Sequence, residues 1–222
     1  TKCCGCTACA SSCPRNCITM QYDEEGFLYP VVDKELCVNC GICDKVCPFG
    51  HLNDRVATNS STYMAFQNSN QNVRMESTAG GAFSLIAEYI INNGGIVYAV
   101  GYNAEMTVCH EKCDNIRGLN KLRGSKYVQS DLRNIFVDIK SNIKERLVLF
   151  VGTPCQVHGL KAFIGEDKNL YTIDLLCLGV SSPKLFAEWI DYLNDKYHSQ
   201  VRHVSFRDKH YGYSTPNVRV FF

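Results

Sequence analysis

From residue 83 onward the apolar positions alternate between two periods. FSLIAEYIINNGG, residues 83–95, spaces its apolar side chains as a helix does and ends on Gly94 and Gly95. IVYAVGY follows as an unbroken β-rich run, suited to a buried strand. The alternation then repeats: NIFVDIKSNIKE predicts a helix, RLVLFVG a strand, QVHGLKAFIG a helix, LYTIDLLC a strand and SPKLFAEWIDYLNDKY a helix. Strands separated by helices predict an α/β domain with a mostly parallel sheet. VRHVSFRD and NVRVFF read as two closing strands, and because the sequence stops inside the second, the domain is expected to be C-terminally incomplete.

The first fifty or so residues lack this alternation. ITMQYDEEGFLYPVVD has β-formers on both sides of the turn-prone DEEG, which predicts a hairpin. A unit closing near His51, a polar linker over NDRVATNSS and a first strand in TYMAFQN give two domains, residues 1–52 and 62–222.

Composition changes the picture of the smaller domain. Of 14 cysteines in 222 residues, ten lie between Cys3 and Cys47. Such local clusters have little chain to staple, so metal ligation is favoured over disulfides. The spacing Cys3-x2-Cys6-x2-Cys9-x3-Cys13-Pro14 recurs as Cys37-x2-Cys40-x2-Cys43-x3-Cys47-Pro48. Three thiolates within seven residues wrap corners of a cubane, whereas structural zinc takes separated pairs, so the spacing favours 4Fe-4S clusters. In two-cluster ferredoxins of this spacing the fourth cysteine of each run serves the other cluster. Cys3, Cys6, Cys9 and Cys47 are therefore assigned to one centre, and Cys37, Cys40, Cys43 and Cys13 to the second. The fold expected is an α+β ferredoxin-like unit followed by the α/β domain. Gly41 suits a close approach of backbone to sulfur, and each proline turns the chain away. Cys4 and Cys17 are left over and read as small packing residues.

The formal net charge of +1 gives no nucleic-acid footprint. No apolar run approaches the ~20 residues of a membrane span, and no secretory signal is visible, so a cytoplasmic location is expected.

Four loops of the larger domain carry further chemistry. GTPCQ and CLGVSSP follow two strands and place Cys155 and Cys177 at the carboxyl edge of the sheet, where open α/β sheets bind ligands. Cys155 also opens a helix, whose N-terminus favours a thiolate; filling the core is the competing role for both cysteines. ESTAGGAFSLIA sets small residues before a helix, either to receive a phosphate or flavin edge or as a simple cap. LRGSKYVQS is either an anion- or ring-binding cluster or a solvated loop. Cys109 and Cys113 in VCHEKC are read as structural.

Together the cluster runs with GFLYPVVD, then ESTAGGAFSLIAEY, LRGSKYVQSD, GTPCQVHGLKAF and DLLCLGVSSPKLF, in this order, resemble the coenzyme F420 hydrogenase/dehydrogenase beta-subunit family of iron-sulfur flavoproteins. The resemblance implies an oxidoreductase carrying two 4Fe-4S clusters and FAD. It would pass electrons between them, exchange a hydride with coenzyme F420 or a related deazaflavin or nicotinamide acceptor, and work with a redox partner protein or subunit. FAD contacts are expected from Ser77, Thr78, Gly80 and Gly81, from Arg123, Ser125, Lys126, Tyr127 and Ser130, and from Thr153, Pro154 and Gln156. No catalytic residue is assigned. In a longer chain Cys155 and Cys177 would join a further Cys-x2-Cys segment in a third cluster. The chain departs from the family pattern at Leu178, where a His is common, and at Ala79, where a Ser is common. A flavin-free electron-transfer adaptor and a zinc-binding interaction module are the competing functions.

Overall fold

The computed structural model describes residues 3–50, 62, 64–215 and 217–222. Its small unit consists of helix α1 (Ala8–Ser12), strands β1 (Ile18–Tyr22) and β2 (Leu28–Val32), and helix α2 (Ile42–Lys45). β1 and β2 form the expected antiparallel hairpin, with Ile18 opposite Val32 and Tyr22 opposite Leu28. Gly26 closes the turn at φ 81°, a left-handed value that glycine adopts without strain. The expected linker and the end of the unit at His51 lie outside the described residues. Residues 64–68, expected as part of a strand, are irregular and pair with no strand among the described residues.

The larger unit continues with α3 (Gln71–Glu76), α4 (Ala82–Asn92), β3 (Ile96–Tyr102), β4 (Val108–Cys113), α5 (Ile116–Leu122), α6 (Ile135–Asn142), β5 (Val148–Gly152), α7 (Pro154–Ile164), β6 (Leu170–Asp174) and α8 (Pro183–Tyr197). A hairpin of β7 (His203–Asp208) and β8 (Asn217–Phe221) closes it. The main sheet has the order β4-β3-β5-β6. β3, β5 and β6 are parallel, and β4 is an antiparallel edge. The sheet is thus mixed and mostly parallel, as expected. β4 and α5 were not foreseen. VCHEKC carries Glu111 and Lys112 on an edge strand and shows no unbroken apolar run.

The two-residue period of the central strands explains the layers. Val97, Ala99, Leu149 and Val151 face one way, against Ala87 and Ile90 of α4 and Leu119 and Leu122 of α5. Ile96, Tyr98, Val148 and Phe150 face the other way, against Phe136 and Ile139 of α6 and Leu160 of α7. Cys6 and Ala8 belong to this second core. The small unit therefore shares a core with the sheet domain. Gln129 adds a polar strap: its Oε1 accepts from Leu28 N at 2.8 Å in a buried bond across 101 residues of chain. Among the described residues no helix is long and apolar enough to cross a membrane.

Candidate metal centres and redox edge

Cys3, Cys6 and Cys9 lie on a loop that turns through left-handed residues at Gly5, φ 68°, and Thr7, φ 62°, before entering α1. Cys47 comes from just after α2, which packs on α1. Burial pushes the Cys9 thiol up to about 11, helped by the negative charges of Cys6, Cys3 and Cys47. Burial likewise raises Cys3, with Cys6 and Cys47 adding to it. The fourth cysteine of the second run thus stands among the first three of the first run. Thiolates crowded together in a partly buried site repel one another until a cation separates them. Thr7 Oγ1, in the same loop, is buried and has no hydrogen-bond partner. A cluster held by these thiolates would offer that hydroxyl an acceptor.

The second set lines a recess of about 720 Å³, counting the solvent at its mouth, with Cys13, Cys37, Cys40 and Cys43 around it. Its loop reverses at Asn39, φ 53°, and Gly41, φ 70°. Cys13, from the other run, lines the same recess. Cys17 is 4% exposed, its sulfur 3.3 Å from Cys13 Sγ, and it packs beside the set as expected. Among the described residues no three Cys, His or carboxylate side chains converge on a single-ion position. Thiols spread around a recess suit a group several ångströms across, so the second set fits a 4Fe-4S cluster.

At the carboxyl edge β5 and β6 are neighbours, with Leu175 N donating to Gly152 O. Cys155 stands in the first turn of α7, after Pro154. Gln156 folds back so that its Oε1 accepts from Thr153 N at 2.9 Å, capping the helix. Cys155 Sγ is 3.1 Å from Thr153 Oγ1. Its thiol is pushed down to about 6, first by the Cys4 thiol, with Thr153 and the amides of Gln156 and Cys155 assisting against burial. Cys4 lies beside both Cys155 and Cys6 and is raised strongly in turn. Cys177 sits on the adjacent loop, 3.9 Å from Gly179 O, between fully open Leu176 and Leu178.

A buried chain of hydrogen bonds supports this edge from below. Gln156 Nε2 donates to Ser130 Oγ at 3.0 Å, and Ser130 Oγ lies 3.1 Å from His110 Nδ1. His110 Nε2 is 3.1 Å from Val151 O, a pure acceptor, so Nε2 carries the proton and Nδ1 accepts from Ser130. Burial pushes His110 down to about 4, against the bond to Val151. Ser130 and Gln156 thus hold the α7 entrance in place.

The STAGG and GSKYVQS loops meet: Ser125 N donates to Thr78 Oγ1 at 2.8 Å. With β7 they enclose a recess of about 420 Å³ lined by residues 75–78, 123–126 and 203–208. Gly80 approaches Phe66 O closely, and Gly81, φ 83°, caps α4. Tyr127 packs edge-on to Phe206. Arg123 is already engaged, donating to Ser84 Oγ and Glu76 and lying 3.6 Å from Glu88. Lys126 Nζ donates to the carbonyls of Val100, Leu122 and Arg123. Burial draws Lys126 down to about 7, but three carbonyls call for three N–H bonds, so this cage holds the ammonium. The STAGG and GSKYVQS loops form one recess; GTPCQ meets the second of them at the Gln156–Ser130 bond, and CLGVSSP meets it where Ser181 N donates to Tyr127 O and Gln129 N to Ser181 O. Lys209, which the sequence did not single out, donates to Arg74 O and Ala79 O and latches the STAGG loop.

Two sets of four cysteines beside a mostly parallel sheet suit iron-sulfur clusters. Residues 2–51 match the 4Fe-4S dicluster domain, and residues 145–218 match the C terminus of the coenzyme F420 hydrogenase/dehydrogenase beta subunit. The chain joins a segment similar to the first to a segment similar to the second, the two parts that its motifs resemble. No curated protein matches it. A solved chain of the F420-reducing [NiFe] hydrogenase complex from Methanosarcina barkeri is similar, at 16% identity and TM-score 0.48, over 62% of this chain and 52% of that one. This chain thus spans about half the length of that relative.

Proposed function

We propose that this chain passes electrons between its two 4Fe-4S clusters and FAD, with hydride exchange to coenzyme F420 or a related deazaflavin or nicotinamide, in complex with a partner redox subunit. The observation that carries the electron path is the docking of the Cys3–Cys9 loop on α7, which sets the first thiol group beside Cys155 at the ligand-binding edge of the sheet. The crossed ligand sets bring the two clusters into one compact unit, as stepwise transfer requires. FAD, when bound, supplies the interconversion of one-electron and two-electron chemistry.

The recess between residues 75–78, 123–126 and 203–208 supports a site for the polar end of that cofactor. Thr78, Ser125, Ser205 and Arg207 line it and suit a phosphate or ribose. Arg123 and Lys126 act there by shaping the loops rather than by offering free charge. That same engagement favours the second reading, a flavin-free electron-transfer subunit.

Anaerobic purification followed by cofactor extraction separates the two. About eight irons and eight sulfides per chain are expected from the two ligand sets, with one FAD under the first reading and none under the second. Iron near four, or zinc in its place, overturns the cluster assignment. Oxidation of reduced F420 compared with NADPH then identifies the acceptor class.

A further inference from the structure

The recess between residues 75–78, 123–126 and 203–208 has three walls, and a side chain outside it ties two of them together. Lys209 follows directly after the β7 wall and is 6% exposed. Its Nζ donates to Arg74 O at 2.8 Å and to Ala79 O at 2.9 Å. Those two carbonyls bracket residues 75–78, so one ammonium grips both ends of the first wall. The turn that follows completes the grip. Gly212 takes φ 96° and donates its amide to Lys209 O at 2.8 Å, which brings Tyr213 back against the lysine; a positive φ of this size is open to glycine and strained for other residues. Lys209 Nζ then stands 3.9 Å from the Tyr213 ring centroid, and Tyr213 Oη donates to Ala79 O at 3.2 Å. Two carbonyls and a ring face thus replace the water that a buried ammonium gives up. Among the described residues these three bonds are the only hydrogen bonds from the β7–β8 hairpin and its turn to residues 64–81. The second wall is joined to the first separately, by Ser125 N donating to Thr78 Oγ1 and Arg123 to Glu76.

We infer that the β7–β8 turn is a clasp on this recess, with Lys209 and Tyr213 as positioning residues that hold residues 75–78 in the shape that takes a phosphate-bearing ligand. The inference rests on the reading that such a ligand, FAD under the proposed function, binds in this recess. Neither side chain lines the recess, so both act through the loop they hold. Binding and closure are then linked: a closed clasp favours the ligand, and the ligand favours the closed clasp by the same factor.

The test uses cluster-loaded protein under anaerobic conditions, with FAD as the probe. Lys209→Met keeps the aliphatic stem and should weaken FAD binding about tenfold. Tyr213 is exposed, so Tyr213→Phe leaves the fold intact; it removes one of the three bonds and should weaken binding about threefold. Amide exchange reports the clasp itself. The amides of Asn68, Ser77 and Ser125 donate to Gly80 O, Arg74 O and Thr78 Oγ1, on or beside the held segment. They should exchange faster in Lys209→Met while residues 96–98 stay unchanged. FAD should slow exchange over residues 209–213 in the wild type but not in that variant, a reciprocal protection that a lysine serving only stability would not give. Wild-type FAD affinity in Lys209→Met overturns the inference. If that variant fails to fold, Tyr213→Phe decides in its place, and wild-type affinity there overturns the inference equally. If the wild type itself binds no FAD, the FAD reading fails, and exchange in the ligand-free protein decides the clasp: faster rates at the three reporter amides in Lys209→Met sustain it, and unchanged rates refute it.

Discussion

At the scale of single residues, His110 illustrates how a buried polar group is made tolerable. It is enclosed between Phe150, on which it stacks, and the Ser130–Gln156 chain, and both ring nitrogens are satisfied only in the neutral form. Protonating Nδ1 would set a donor against the Ser130 hydroxyl and place an unpaired charge in the core. The folded-state pKa of about 4 lies below the ordinary 6.5, so between those values the unfolded chain binds more protons than the folded one. The stability this histidine contributes is therefore present above about pH 6.5 and falls away as the pH drops toward 4. A loss on the order of 3 kcal/mol is expected over that window. Anaerobic urea unfolding from pH 7.5 to 4.5 measures it. A His110→Asn variant should be weaker at the upper pH and lose most of the slope; an equal slope in both proteins would assign the acid sensitivity elsewhere.

At the scale of elements, α7 meets the cluster loop at a glycine because nothing larger fits. Gly159→Ala puts a methyl group 2.8 Å from Cys6 Sγ, and neither neighbour is a flexible chain end that can swing aside. The expected cost is about 1–3 kcal/mol of stability, with preferential loss of the first cluster, read by denaturation and iron content. The contact of α1 with α2 underlies a second prediction. Under the crossed assignment, Cys47→Ser should damage the cluster of Cys3, Cys6 and Cys9, and Cys13→Ser that of Cys37, Cys40 and Cys43. Paramagnetic resonance of the reduced variants distinguishes the centres; loss confined to each residue's own run would refute the crossed arrangement.

At the scale of the whole molecule, the two units are not beads on a string. Cys6 and Ala8 sit in the same core as Tyr98, Phe150 and Leu160, and Gln129 satisfies the buried amide of Leu28. A cluster bound by the Cys3–Cys9 loop would hold that loop in shape, so cluster loss should loosen the sheet domain as well. Hydrogen exchange at residues 96–98 and 148–150, before and after anaerobic chelation of iron, checks this. Faster exchange in those central strands is expected; unchanged protection would mean that the units unfold independently.

What the sequence alone determined was local or periodic. The eight cluster cysteines are legible because a cubane is wrapped by residues only two or three apart, and the alternation of α4, β3, α6, β5, α7, β6 and α8 is legible because each element writes its own apolar period. The hairpin is legible in DEEG between two β-rich runs. The edge strand β4 was hidden because its charged residues break the apolar run and its pairing with β3 supplies what its own pattern lacks. Only the tertiary structure decided that Arg123 and Lys126 spend their donors inside the protein, and that Ser130 and Gln156 belong to a buried chain ending on His110. Each of these depends on partners brought together by packing across long stretches of chain. Ligand spacing and hydrophobic period are properties of neighbours in sequence, whereas the fate of a buried charge or thiol is set by whatever the fold places against it.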